Sequence, residues 1–151
     1  MSSSKQSLKH RNLPLLLLQA REGVISRFRP ILTEAGFTEQ QWRVIRALLE
    51  YGPMEPRQIG ELCCISSPSM AGMLARMDEL GWVLRERFPN DQRRVLVSVS
   101  ARGTELAAEL APRIEKTYQE LEAQIGKAFA RDLYKTLDVL LEKIGPTEAA
   151  D

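Results

Sequence analysis

The spacing of apolar residues changes twice along this chain, from helical to alternating near Trp82 and back to helical after Ser100. From about Leu13 to Thr33, Leu17, Val24, Phe28, Ile31 and Leu32 recur at helical intervals and predict one helix. Thr38-Glu39-Gln40-Gln41 reads as a capping box, with the threonine side chain on one orphan amide and Gln41 reaching back. The helix it opens should turn Trp42, Ile45, Leu48 and Leu49 inward and end at Gly52-Pro53. Pro56 suits the first turn of a short helix that buries Ile59, Leu62 and Cys63. Ser67-Pro68 then supplies an N-cap and a proline at the first helical position. That helix should bury Met70, Met73, Leu74, Met77 and Leu80 and stop at Gly81.

Period two follows. Val95, Val97 and Val99 alternate with Leu96, Ser98 and Ser100, and Trp82, Leu84 and Phe88 with Val83, Arg85 and Arg87. These are two half-buried strands joined by a polar turn too long for a tight hairpin, which ends in Arg93-Arg94. Ser100 caps a long helix with Leu106, Leu110, Ile114, Tyr118, Leu121 and Ile125 on one stripe, and Pro112 should kink it. A last helix carries Phe129, Leu133, Leu137, Leu140, Leu141 and Ile144. The order α-α-α-α-β-β-α-α predicts a mainly α fold with a small β-hairpin wing, one domain over 1–151. Residues 37–100 form a winged helix-turn-helix, a unit whose usual work is reading DNA. Residues 1–36 and 101–151 supply helices with apolar faces that the compact winged helix cannot cover. A second copy of the chain is the simplest partner for them, which makes these the dimerisation helices of a homodimer.

Composition narrows this picture. A length of 151 residues and a formal net charge of +1 fit one domain of weak overall charge. Residues 1–56 hold 8 basic and 5 acidic groups, 57–100 hold 6 and 5, and 101–151 hold 7 and 10. Contact with phosphate is therefore expected from the middle of the chain, and two copies are needed to accumulate enough of it. Cys63 and Cys64 are adjacent and close no loop, which fits a reducing cytoplasm. Lys5, Lys9 and Arg11 before Leu13-Pro14-Leu15-Leu16-Leu17-Leu18 mimic an export signal, but the apolar run is too short and reads as the start of a buried helix. No segment is long enough to span a membrane.

The candidate chemistry is binding chemistry. In a helix-turn-helix the second helix enters the major groove with its N-terminal residues on base edges. Here that places Ser67, Pro68, Ser69, Gly72 and Arg76 against DNA, with small residues allowing close approach. Arg93 and Arg94 at the hairpin tip can reach the negative potential of the minor groove, and Asp91 lies close enough to hold Arg93. Arg21 falls within the apolar stripe of the first helix, so it either pairs with an internal carboxylate or awaits a carboxylate ligand. Arg46 lies four residues from Trp42, and arginine beside an aromatic is a suitable floor for a planar anion. Arg21, Trp42 and Arg46 are the ligand candidates, together with His10, the lone histidine, in the leading segment. Cys63 and Cys64 are either inert packed thiols or a redox sensor. No metal-ligand cluster, nucleophile with its base or glycine-rich phosphate loop is visible, so neither a cofactor nor an enzyme is expected. A winged-helix module that binds protein rather than DNA is the other reading.

Asp91-Gln92-Arg93-Arg94-Val95-Leu96-Val97-Ser98-Val99-Ser100 resembles the wing signature of the MarR family, with serine at position 100 where threonine is usual. Ser67-Pro68-Ser69 to Gly81 is similar to that family's recognition helix. Leu17 to Glu22, Phe28-Arg29-Pro30 and Thr38 to Arg43 resemble the subgroup of homoprotocatechuate-degradation repressors, with related regulators of nicotinate catabolism. The resemblance implies Asp91 and Arg93 as the wing pair. It also implies a symmetric dimer on an inverted-repeat operator of double-stranded DNA, released by a small aromatic acid.

Overall fold

The computed structural model describes residues 7–146, so Lys5 and the outer ends of the two predicted flanking segments lie outside the described residues. The elements are α1 (Leu13–Ile25), α2 (Arg29–Glu34), α3 (Glu39–Tyr51), α4 (Pro56–Cys63), α5 (Ser67–Glu79), β1 (Val83–Phe88), β2 (Asp91–Val99), α6 (Ala101–Ile125) and α7 (Lys127–Ile144). The single helix predicted over Leu13–Thr33 is thus two. Pro30 has no N–H to give to Ser26, and its ring crowds the carbonyl there, so the chain breaks at Ser26–Phe28 and restarts. The break separates the predicted stripe. Phe28, Ile31 and Leu32 enter the core, while Leu17 and Val24 stay exposed and α1 buries none of its side chains.

Helix α3 starts at the predicted capping box. Gln41 N donates to Thr38 Oγ1 at 3.1 Å and Thr38 N to Gln41 Oε1 at 2.9 Å. Val44, Ile45 and Leu48 are buried, but Leu49 is exposed, as is Leu62 of α4. Helix α5 begins one residue early, with Ser66 rather than Ser67 as N-cap and Pro68 still in the first turn. Val44, Ile45, Ile59, Met77, Val83 and Val97 are completely inaccessible and mark where α3, α4, α5 and the hairpin converge.

The hairpin departs from expectation in two ways. Phe88 pairs with Asp91 across the two-residue turn Pro89-Asn90, and the register then jumps between Arg87 and Phe88. The predicted long turn is therefore a short turn followed by a bulge, Gln92-Arg93-Arg94, with no cross-strand partners in β1. In β1 the buried residue is Val83, while Leu84 is exposed, because Trp82 precedes the strand and stacks on Phe37 with ring centroids 4.4 Å apart. On its other edge β2 bridges Met54, with Met54 N to Val97 O at 3.0 Å and Val97 N to Met54 O at 2.8 Å.

Helix α6 runs through Pro112 to Ile125, and its N-terminus is clamped to the hairpin. The Ser100 hydroxyl accepts from Gly103 N at 3.0 Å and donates to Gly81 O at 2.5 Å. A Cβ on Gly103 would meet the Trp82 carbonyl oxygen at 2.3 Å. Gly103→Ala is therefore expected to lower unfolding free energy by about 1–3 kcal/mol or more. Gly72 in α5 has open space around its Cα, and Gly72→Ala should raise stability by about 0.5–1 kcal/mol. Urea unfolding midpoints of the two variants check both signs.

Candidate nucleic-acid interface and effector cleft

Helix α5 presents Ser67, Pro68, Ser69, Gly72 and Arg76 to solvent, as a groove-reading helix requires. Ser66 Oγ donates to Ser69 Oγ at 3.0 Å, and Arg76 reaches Glu79 at 3.4 Å. Between α4, α5 and the hairpin lies a groove of about 550 Å³ lined by Arg57, Ser67, Ala71 and Arg85 among others. The two wing arginines, treated alike from the sequence, have different surroundings. Arg93 is 92% exposed and, among the described residues, hydrogen-bonds Asp91 alone, through its backbone N–H at 3.0 Å and its Nε at 3.3 Å. Arg94 donates in a fork to Glu55, with bonds of 2.9 and 3.0 Å. That hydrogen bonding holds the Glu55 carboxyl below its ordinary range.

The second candidate site is a cleft of about 330 Å³ between α1, the Phe28 turn, α3, α4 and α6. Trp42 and Arg46 line it, with Tyr118 of α6 and Phe28 opposite. The Phe28 and Tyr118 rings lie 4.7 Å apart. Burial pushes the Tyr118 phenol up, against the opposing pull of the Arg46 charge. Trp42 and Arg46 also line an adjoining hollow against Ala107 and Ile114 of α6. Arg21 and His10 are not in the wall of the cleft. Arg21 instead bonds Glu39 Oε1 at 2.6 Å, so its internal carboxylate is Glu39. His10 is exposed in the segment ahead of α1.

Glu39 is the group that sequence reasoning missed. It also receives Arg43 at 2.6 Å, and Arg43 in turn donates to the Cys63 carbonyl at 2.6 Å. The Glu39–Arg43 pair has the i,i+4 spacing that a sequence can reveal. The Arg21 partner, 18 residues away on another helix, carries no such signal. Burial favours a neutral Glu39, but the hydrogen bonds and charges of Arg43, then Arg21, outweigh it and hold the carboxyl below its ordinary 4.5. Arg46 differs from both. Among the described residues it carries no ion pair, although Glu39 and Glu50 line the same cleft.

The two cysteines separate cleanly. Cys63 is buried, its Sγ lies 3.8 Å from the Arg43 carbonyl, and burial pushes its thiol up against the pull of Arg43. Cys64 is exposed and adopts a left-handed conformation at the end of α4. Among the described residues no group of three or more His, Cys, Asp or Glu could hold a metal ion, and no helix is long and apolar enough to cross a membrane.

Residues 37–95 match the MarR family. Over 134 residues the chain is 40% identical to the homoprotocatechuate degradative operon repressor of Escherichia coli, covering 89% of this chain and 88% of that one. The solved transcriptional regulator PA4135 superposes with a TM-score of 0.87 at 43% identity, covering 91% of this chain and 100% of the other. NadR in complex with 4-hydroxyphenylacetate gives a TM-score of 0.79 at 36% identity, covering 89% and 96%.

Two outcomes follow from this geometry. A thiol reagent should label Cys64 in the folded protein and Cys63 only on unfolding, which mass spectrometry of the labelled peptides resolves. Glu39 contributes stability in its ionised form, and its folded value lies below its ordinary one. That contribution is complete above the ordinary carboxylate range and is lost as pH falls through the lowered folded value. Glu39→Gln should thus lower the urea midpoint at pH 7, and the gap to the parent should close in acid.

Proposed function

The chain belongs to the MarR family of winged-helix transcriptional regulators, and we propose that it is a dimeric repressor released from its operator by a small aromatic or N-heteroaromatic carboxylate. The observation that carries the effector reading is Arg46 beside Trp42 in the cleft, a guanidinium without a carboxylate partner among the described residues. Its planar fork can take both oxygens of one carboxylate, while Trp42 and Tyr118 offer ring surface and a phenol. Arg21 and Arg43 are the less suitable anchors, because Glu39 already occupies them. The likeness to a protein solved with 4-hydroxyphenylacetate and to a repressor of homoprotocatechuate degradation supports a ligand of this class.

The dimer is supported by what α1 and α7 leave uncovered. Leu17 and Leu18 of α1 and Phe129, Leu133, Leu137 and Leu141 of α7 are exposed, and α7 buries only Ala130. A self-complementary interface through α1, α6 and α7 covers such faces and sets the distance between two copies of α5. A ligand in the cleft lowers DNA affinity only by preferring the wrong separation of those helices. A preference of about 1–3 kcal/mol changes occupancy by roughly 5–150-fold. The exposure of Cys64 at the helix-turn-helix turn favours a second reading, in which oxidation rather than a ligand is the trigger.

Sedimentation at micromolar concentration should give a dimer, and a compact monomer would remove this arrangement. Arg93→Ala should weaken operator binding and flatten its salt dependence, because a cation at the groove is lost. Arg46→Ala should retain operator binding but lose release by 4-hydroxyphenylacetate and related acids. Normal release by this variant would exclude Arg46 as the anchor. Release of the parent by peroxide but not by any aromatic acid, abolished in Cys64→Ser, would replace the ligand reading with the thiol one.

A further inference from the structure

We infer that Glu55 and Arg94 form a pin that positions the wing, leaving Arg93 as the wing arginine whose charge is available to DNA; the inference rests on the DNA-reading function proposed above. The Arg94 Nε and Nη2 atoms donate to Glu55 Oε1 and Oε2 at 2.9 and 3.0 Å, between residues 39 apart in sequence. The guanidinium carbon also lies 4.2 Å from the centroid of the Phe88 ring. The fork of this side chain is filled and its flat face is covered, the two ways in which an arginine is held rigidly.

Glu55 is itself fixed. It is the N-cap of α4, and its N–H donates to Gln58 Oε1 at 2.9 Å. A carboxylate at a helix N-terminus is also favoured by the helix dipole, which adds to the hold of Arg94 on it. The pair therefore ties the irregular part of β2 to the first turn of the helix-turn-helix. Gln92, Arg93 and Arg94 lie where β2 leaves the ladder, and the backbone pairing there does not hold them in place. One end of this bulge is set by Phe88 opposite Asp91 and the other by Arg87 opposite Val95; the Arg87 guanidinium donates to the Gln92 carbonyl, and the pin holds Arg94 between the two ends. The charge of Arg94 is compensated by Glu55 across the molecule, whereas Arg93, among the described residues, pairs with its neighbour Asp91 alone, at 3.3 Å, and extends into solvent. Loss of Arg93 should therefore alter counterion release on DNA, and loss of Arg94 should not.

The test uses the full chain and a duplex that the parent protein selects from random-sequence DNA. Arg93→Gln should reduce the slope of log affinity against log salt by about one unit per protomer. Arg94→Gln should weaken binding while leaving the slope unchanged, and Glu55→Gln should steepen it by about one unit per protomer, because Arg94 then stands uncompensated. In the free protein, Glu55→Gln and Arg94→Gln should each speed amide exchange across Gln92–Val95 by about tenfold, with the thermal unfolding midpoint little changed. A slope lowered as much by Arg94→Gln as by Arg93→Gln would make Arg94 a DNA contact and overturn the assignment. Unchanged exchange in both variants would overturn it as well. If the parent selects no sequence, the DNA-reading proposal fails, and the exchange measurement still decides whether the pin exists.

Discussion

Helix α3 must satisfy two environments at once, and the rest of the molecule is arranged around that demand. Its Val44, Ile45 and Leu48 face fills the interior of the DNA-reading lobe, where two of the three are completely inaccessible. Its other face carries Glu39, Trp42, Arg43, Arg46 and Glu50 along the cleft toward α1 and α6. A helix packed this tightly on one side cannot rotate or slide without repacking a core at crystal-like density. The cleft therefore borders a rigid bar that also supports α4 and the hairpin. Helix α3 is thus the part that the cleft and the helix-turn-helix share.

Electrostatics divides the arginines into roles that composition alone conceals. A net charge of +1 hides a molecule in which many guanidinium groups have a specific carboxylate. Arg21 and Arg43 converge on Glu39, Arg94 on Glu55, Arg85 on Asp78 and Arg113 on Glu34. Most of these pairs are exposed and contribute little to stability one by one. Their consequence is positional, because a paired arginine has a fixed place and little remaining attraction for an outside anion. By contrast, Arg46 in the cleft has no ion pair among the described residues, and Arg93 on the wing, bonded only loosely to Asp91 at 3.3 Å, is 92% exposed. The Glu39 cluster has a further effect. It joins α1, which has no buried side chain of its own, to the lobe that α3 centres.

Much of this chain was legible from short-range pattern. The capping box at Thr38, the proline-started α4 and α5, the cap at Ser100 and the alternation through Val97 all depend on neighbours within a few residues, and a sequence displays such neighbours directly. The errors also have local causes. Pro30 divided a helix whose apolar period continues across it, and the bulge at Gln92–Arg94 looks in sequence like a longer turn. Leu49, Leu62 and Leu84 are apolar but exposed, since hydrophobic character fixes a preference and not a position.

The sequence by itself determined the order of elements from α3 onward, the winged helix-turn-helix, and Trp42 with Arg46 on one face of a helix. These follow from spacing on a single element or from a motif of consecutive residues. Tertiary structure alone decided which carboxylate each arginine meets. The partners of Arg21 and Arg94 lie 18 and 39 residues away, and the cleft needs walls from α1, α3, α4 and α6 at once. The burial of Cys63 was legible from its place on the apolar face of α4, whereas the left-handed, exposed Cys64 one residue on was decided by the structure. Long-range pairing depends on how the helices pack in three dimensions, and no local period encodes it.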